Sequence, residues 1–278
     1  MSTIQFEILP APDSLKNDLE CFRVGTYRGS EEVAVRVCPN GFPGIVFQHH
    51  NGKSVIKNIV TDAGRTIQVP TLFAYGQVTV VSTMYFTAPF STIQVIFKPH
   101  AQKTLFGINA ATLTNNSMGS QSFGAEELNI KLIAAENDGE LVALLSDFLV
   151  AKRTQANGRD LLIEEGLLFI NRHISTVSIE SLREFLHLSE RQLEKRFKQT
   201  VGISPQLYIR IKRVNEAFRL MDTGKYERLV DIAYELNFYD QSHFIRDIRA
   251  FSGLTPKGIR QRVDDFHHDL VGSSYMFR

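Results

Sequence analysis

Arg191, Glu194 and Lys195 stand at i, i+3 and i+4 in this chain, and Ser242 or His243 with Arg246 repeat that spacing about 50 residues later. On a helix such positions share one face. Side chains of these types, Arg and Gln above all, can make paired hydrogen bonds to base edges, so the chemistry they suit is recognition in a DNA major groove. A plainer reading stands beside it. Most amphipathic helices turn a polar face to water, and one copy alone decides nothing.

The elements that would position these groups form a loose internal repeat, Ile179 to Phe197 and Leu229 to Ile248. In each copy a short apolar helix ends at a turn residue, followed by an apolar residue and a new helix start. His187 and Asn237 occupy the turn, where a left-handed backbone is wanted. Ser189 can cap the next helix, with Gln192 completing a capping box, and Asp240 can cap its counterpart. Leu193 and Phe197 in one copy, and Phe244 and Ile248 in the other, lie one turn apart and predict the buried stripe. Between the copies, Tyr208, Ile211, Val214, Ala217, Phe218 and Met221 recur at helical spacing from Gln206 to Asp222. Ser204-Pro205 starts that helix and Thr223-Gly224 stops it. Its length is about 25 Å. With half the width of each flanking unit, the separation approaches the roughly 34 Å of one DNA turn.

Residues of about 165–265 resemble the DNA-binding domain of the AraC/XylS family of bacterial transcription regulators. The words that carry the likeness are Leu188-Ser189-x-Arg191-x-Leu193-x-x-Arg196-Phe197-Lys198 and Gly202-x-Ser204-Pro205-x-x-Tyr208, the latter continuing to Arg213 and Ala217. After them come Asp231-Ile232-Ala233, Phe238-x-Asp240-Gln241-Ser242-His243-Phe244-x-Arg246 and Gly253-Leu254-Thr255-Pro256. The resemblance implies base-facing roles for Arg191, Glu194 and Lys195 in the first reader, and for Gln241, Ser242, His243 and Arg246 in the second. Ser189, Lys198, Arg210, Arg213 and Arg249 are its phosphate candidates, while Phe197, Tyr208, Ala217, Phe238 and Phe244 belong to packing. It further implies double-stranded DNA as partner, with RNA polymerase, a small-molecule effector and a second copy of the chain as further ones. Activation is expected ahead of repression. Three departures stand out. Arg183 holds a position where a small residue is usual, and its guanidinium must reach outward or find Glu180 or Glu184. His187 and Asn237 replace the usual turn glycine. Asp247 and Ile248 replace a basic or polar residue and a Phe.

Length and composition agree with this division. The 278 residues suit about two domains, and 43% hydrophobic with 22% charged is ordinary for a globular protein. A net charge of +1 excludes binding polyanions by bulk charge. Residues 1–164 carry 13 Lys+Arg against 15 Asp+Glu, and 165–278 carry 18 against 15, so the basic excess lies with the repeat. No apolar run approaches a membrane span and the start lacks a signal peptide's pattern, which makes cytoplasm the expected compartment. Cys21 and Cys38 cannot build a four-thiolate zinc site. That disfavours a repair methyl acceptor borrowing the same reader domain; a degenerate reader that binds protein instead is the other alternative.

Before residue 125, runs such as Val33–Val37, Gly44–Gln48, Thr66–Val69, Val78–Val81, Tyr85–Thr87 and Ile93–Phe97 alternate between turn signals, as in a small antiparallel barrel or sandwich. Helices follow at 128–134 and 140–151. The fold class expected is therefore α+β: a small antiparallel barrel with helices, cupin-like by the family resemblance, then an all-α domain of two helix-turn-helix units joined by a linker helix. The expected domains are 1–151 for sensing or dimerisation, 152–164 as linker, 165–265 for DNA and 266–278 as a tail. Adjacent His49 and His50 would point to opposite faces of a strand, so neither they nor isolated His100 predict a metal site. No nucleophile elbow, phosphate loop or dinucleotide fingerprint occurs, and neither enzyme activity nor a cofactor is expected. The aromatic load of the first half, with Phe42, Phe47, Phe73, Tyr75, Tyr85, Phe86, Phe90 and Phe97, predicts a barrel core or a pocket where Arg36 or Lys98 meets an anion. Leu141, Leu145, Phe148 and Leu149 form a stripe that the barrel or a second subunit must cover.

Overall fold

Alternation along the first half gives each strand two faces with different partners. The computed structural model describes residues 3–155, 158–223, 226, 228–238, 240–261, 266–269 and 271–277. Its strands are β1 (Gln5–Pro10), β2 (Leu19–Tyr27), β3 (Val33–Val37), β4 (Gly44–Gln48), β5 (Ile56–Thr61), β6 (Thr66–Ile67), β7 (Leu72–Tyr75), β8 (Ser82–Phe86), β9 (Phe90–Phe97), β10 (Ser117–Gly119), β11 (Phe266–Asp269) and β12 (Gly272–Phe277). One antiparallel sheet has the order β1-β2-β9-β4-β7-β10, the other β11-β12-β3-β8-β5-β6. The expected α+β plan, with antiparallel sheets first and a helical domain after, is what the chain adopts.

In the first sheet Phe22, Val24, Ile45, Phe47, Ile93, Val95 and Phe97 face a layer of helices. These are α1 (Ala101–Phe106), α2 (Glu126–Ala134) and α3 (Asp138–Gln155). Alternate residues on the same strands, among them Arg23, Val46, Phe73 and Gln94, turn inward to a cavity shared with the second sheet. Leu145 and Leu149 of α3 are fully buried in the core beneath the sheet, with Leu141 and Phe148 packed against it. The barrel thus covers the stripe that sequence left open to a second subunit.

Two expected strands change. Residues 78–81 stay irregular because the Asn115 carboxamide, not a neighbouring strand, accepts from the Thr79 N–H at 2.8 Å. The run at 66–69 shortens to β6 just before Pro70, which has no N–H to donate. The polar stretch read as linker begins inside α3, which continues through Lys152–Gln155. Asn157, within that stretch, lies outside the described residues.

The second half contains α4 (Leu161–Arg172), α5 (Ile179–Leu186), α6 (Glu190–Val201), α7 (Pro205–Asp222), α8 (Leu229–Glu235), α9 (Gln241–Ser252) and α10 (Pro256–Gln261). Its core gathers Leu182, Leu193, Phe197, Phe218, Phe244 and Ile248 around α7. Burying each large apolar side chain contributes roughly 1.5–3 kcal/mol. Cys38 from the barrel and Tyr275 from β12 belong to this same core. Within 266–278, expected as a tail, residues 266–269 and 272–277 instead return to the first domain as paired strands, with β12 pairing β3 from Ser274↔Val37 to Phe277↔Ala34. The partner of β12 lies more than 200 residues away in sequence, so no local signal pointed to the pairing.

The helical domain is docked on the barrel at several points. Thr114 Oγ1 donates to the Gly202 carbonyl at 2.7 Å, and Lys103 Nζ to Thr200 Oγ1 at 3.3 Å. Asn215 Nδ2 donates to the Pro39 carbonyl at 2.8 Å. Gly202 is required there twice over: its φ is +103°, and a Cβ would meet the Ala110 carbonyl oxygen at 3.0 Å. Lys212 lies over the Phe42 ring at 4.4 Å, and burial brings its pKa down to about 8 against the opposing pull of Glu20 and Glu216.

Candidate nucleic-acid interface

Each reader helix is set by its caps. In the first unit, α5 opens on a capping box between Ser178 and Ser181 and ends at His187 in the left-handed region, φ +52°. Ser189 then caps α6, accepting from the Gln192 N–H at 3.3 Å, while the Ser189 N–H donates to Gln192 Oε1 at 3.0 Å. In the second unit Asn237 takes φ +51°, and the Asp240 carboxylate accepts from the His243 N–H at 2.7 Å to cap α9. That backbone bond, opposed by desolvation and helped by the His243 ring, holds the Asp240 carboxyl below its ordinary value. Ser204 caps α7 through the Leu207 N–H, with Pro205 at the first helical position and Thr223 at its end. Gly224, expected as part of the stop, lies outside the described residues.

With the apolar stripes buried, the polar faces point outward. Arg191 and Lys195 on α6, and Gln241, Ser242, His243 and Arg246 on α9, are exposed. Glu194 is half-buried and pairs with Lys198 at 3.0 Å. The His243 Nδ1 lies 3.1 Å from Asp240 Oδ2. The barrel docks behind these faces and leaves them uncovered.

The five phosphate candidates separate. Lys198 and Arg249 are exposed, and the Ser189 hydroxyl is engaged by its own cap. Arg210 forms a two-pronged bridge to Asp247, at 2.6 and 3.2 Å, whose hydrogen bond raises the guanidinium pKa. Arg213 turns inward and donates to the carbonyls of Ile174 at 2.9 Å and Val177 at 2.6 Å. Arg210 and Arg213, expected at phosphate, thus each hold a tie within the protein: one fixes α9 to α7, the other fixes α7 to the turn between α4 and α5. The Arg210 bridge also accounts for the unusual Asp247, an acid buried on α9 because its partner is a guanidinium. Arg196 likewise bridges Asp160, the cap of α4. The Arg183 Nε is buried without a hydrogen-bond partner among the described residues, and its charge helps lower the pKa of Glu180.

The barrel cavity measures about 130 Å³. Phe73, Tyr75, Phe86 and Phe90 line it, whereas Phe47 and Phe97 face the helices. Neither Arg36 nor Lys98 is among its lining residues: Arg36 is paired with Asp62. The charged group at the cavity is Arg23, which sequence reading passed over; its place in an otherwise apolar strand, Cys21 to Val24, was the available signal. His49 and His50 sit at a turn, where the His49 ring accepts from the Gly52 N–H. His100 is buried near Asp18 and Glu164. No helix of the described residues is long and apolar enough to cross a membrane.

Known proteins agree with this geometry. Residues 182–262 match a helix-turn-helix domain family, and residues 6–119 match a domain of unknown function, DUF6597. The transcriptional activator RhaS of Escherichia coli is 33% identical over 90 residues, which cover 32% of this chain and 32% of that protein. RhaS of Citrobacter koseri is 32% identical over 110 residues, covering 39% of each. The chain thus matches only about a third of the length of these curated relatives. A solved structure of ToxT from Vibrio cholerae aligns with 84% of this chain and 96% of its own at 14% identity, TM-score 0.49, a likeness too distant to carry an inference. By its two capped helix-turn-helix units and the words they are written in, the second half of the chain is a helix-turn-helix domain similar to that of the AraC/XylS family of bacterial transcription regulators.

Proposed function

We infer that the chain is a sequence-specific DNA-binding regulator of transcription, laying α6 and α9 in successive major grooves of duplex DNA. The observation that carries this reading is the pair of capped units whose polar faces stay exposed although the barrel is docked against the same domain. Arg191, Lys195, Gln241, Ser242, His243 and Arg246 are the base readers, with Glu194 as a competing partner for Lys198. Lys198 and Arg249 contact phosphate and set affinity and its salt dependence. The first half senses an effector through its cavity. Activation is the sign we assign, because the curated relatives are named as activators; contact with RNA polymerase follows from that sign. The chain works in the cytoplasm and carries out no catalysis.

Selection of duplexes from a random library by the full-length chain tests this. Two conserved blocks about one helical turn apart are expected. Lys195→Ala and Arg246→Ala should each cost about 1–3 kcal/mol of binding and relax one base position. Failure to enrich any sequence, at low salt and in the presence of cell extract metabolites, would refute the reading.

A further inference from the structure

We propose that the barrel fixes how far apart the two reader helices stand, through Thr114 at the end of α6 and Tyr275 at the end of α9. The separation so fixed sets the length of DNA between the two blocks that the chain accepts. This rests on the reading of α6 and α9 as base readers, and it places specificity-determining residues outside both helix-turn-helix units.

The two units are equivalent at their far ends as well as at their caps. α6 and α9 each run for 12 residues, and each stops at a left-handed glycine, Gly202 at φ +103° and Gly253 at φ +72°. Within the helical domain both reader helices pack on α7, whose 18 residues span about 27 Å. Long helices are seldom straight. A bend of about 10° near one end of α7 swings the far unit by about 5 Å, more than the roughly 3.4 Å from one base pair to the next. By itself, α7 therefore leaves the register of the second reader loose by about one base pair.

The barrel holds both far ends. Thr114 Oγ1 donates at 2.7 Å to the carbonyl of Gly202, the residue that closes α6. Tyr275 stands on β12, a wall of the barrel, and its hydroxyl donates at 2.9 Å to the carbonyl of Ser252, the last residue of α9. Arg36, its partner across on β3, reaches the same turn: a Cβ on Gly253 would meet Arg36 Nη2 at 2.8 Å. Between these ends the middle of α7 is tied as well, by Asn215 Nδ2 to the Pro39 carbonyl at 2.8 Å. One buried residue joins the anchors to each other. Gln77 is 1% exposed; its backbone carbonyl accepts from the N–H of Asn115, the neighbour of Thr114, at 2.8 Å. Its Nε2 donates at 2.9 Å to the carbonyl of Gly41, in the same loop after β3 that holds α7. A continuous brace of chain and hydrogen bonds thus runs through the barrel from the end of one reader to the end of the other. Bending α7 would break that brace and leave buried groups unpaired, which is costly.

The test uses the full-length chain and a selected duplex, with versions of it carrying one base pair more or fewer between the two blocks. The parent protein should lose about tenfold or more in affinity on either change, the scale of putting one reader out of step with its bases. Thr114→Val with Tyr275→Phe removes both hydroxyl donors at nearly constant shape. That double variant should bind the altered duplexes nearly as well as the original. Thr114→Ser, which keeps the hydroxyl, should keep the parent's demand for spacing. Nitroxide labels on Glu190→Cys and Ala250→Cys, both exposed positions, read the separation of α6 and α9 without DNA, since Cys21 and Cys38 are buried. Their distance distribution should be narrow in the parent and wider in the double variant. A double variant that keeps the parent's spacing demand, or its narrow distribution, overturns the proposal; so does a parent that accepts all three spacings equally. Should the double variant fail to fold, Tyr275→Phe alone decides by the same two readouts. A chain that binds no duplex refutes the regulator reading alone, since the label distances still decide the brace.

Discussion

Replacing Arg213 by Ala separates a structural tie from a DNA contact. The side chain supplies two charged hydrogen bonds, to Ile174 and Val177, and so pins the turn that leads into the first reader. Hydrogen bonds from charged donors contribute about 1.5–3 kcal/mol each. Val177 is buried, so its carbonyl stays without a donor after the change, while Ile174 is only half-buried and regains water. A loss of about 3 kcal/mol follows, or roughly 6–12 °C in thermal midpoint for a protein of this size. Calorimetric melting measures that directly. Titrations with a selected duplex across salt concentrations supply the contrast. A phosphate contact removed would reduce the slope of log affinity against log salt by about 0.9. Arg213→Ala should leave that slope unchanged at temperatures where it is folded. Arg249→Ala should do the reverse, shifting the slope by about 0.9 with stability changed by less than about 0.5 kcal/mol. An Arg213→Ala protein that melts like its parent and loses slope would refute the reasoning.

Asp160 offers a pH test. Burial alone would raise its pKa, but the Arg196 hydrogen bond, the Ile163 N–H, and the charges of Arg196 and Lys103 outweigh that and hold it below the usual 3.8. A depressed carboxyl contributes stability above its unfolded pKa and loses it as pH falls through the folded value. Asp160→Asn, which keeps the cap, should therefore be less stable than its parent at pH 7, and the gap in denaturant midpoint should close below about pH 4. His187→Gly relieves a left-handed backbone and should stabilise by about 0.5–1 kcal/mol, more than Asn237→Gly does, because Asn tolerates that region better; urea midpoints measure both. Leu149→Ala should cost about 2–5 kcal/mol and leave the sedimentation coefficient unchanged, since the residue packs beneath the barrel.

The reader units were legible because their signals are local. Ser189 with Gln192, Asp240 with His243, and the left-handed His187 and Asn237 are all settled within one turn of chain, and the stripe of Leu193 and Phe197 follows from helical period alone. Strands were legible where alternation was strong, as in β4 and β9, and failed at residues 78–81, where a side chain from Asn115 took the place of a strand.

Sequence determined, by itself, the positions of the caps, the apolar stripes and the polar faces of both readers, because each depends on residues three or four apart. Only the tertiary structure decided which arginines are engaged within the protein: Arg210 and Arg213 carry the same charge as Arg246 and Arg249, but partners 36 to 39 residues away hold the first pair. It also decided that the barrel covers the α3 stripe, that Arg23 is the charge at the cavity, and that the last residues form a wall rather than a tail. Those facts follow from long-range pairing, in which a strand edge or a buried charge is satisfied by whatever the fold brings to it.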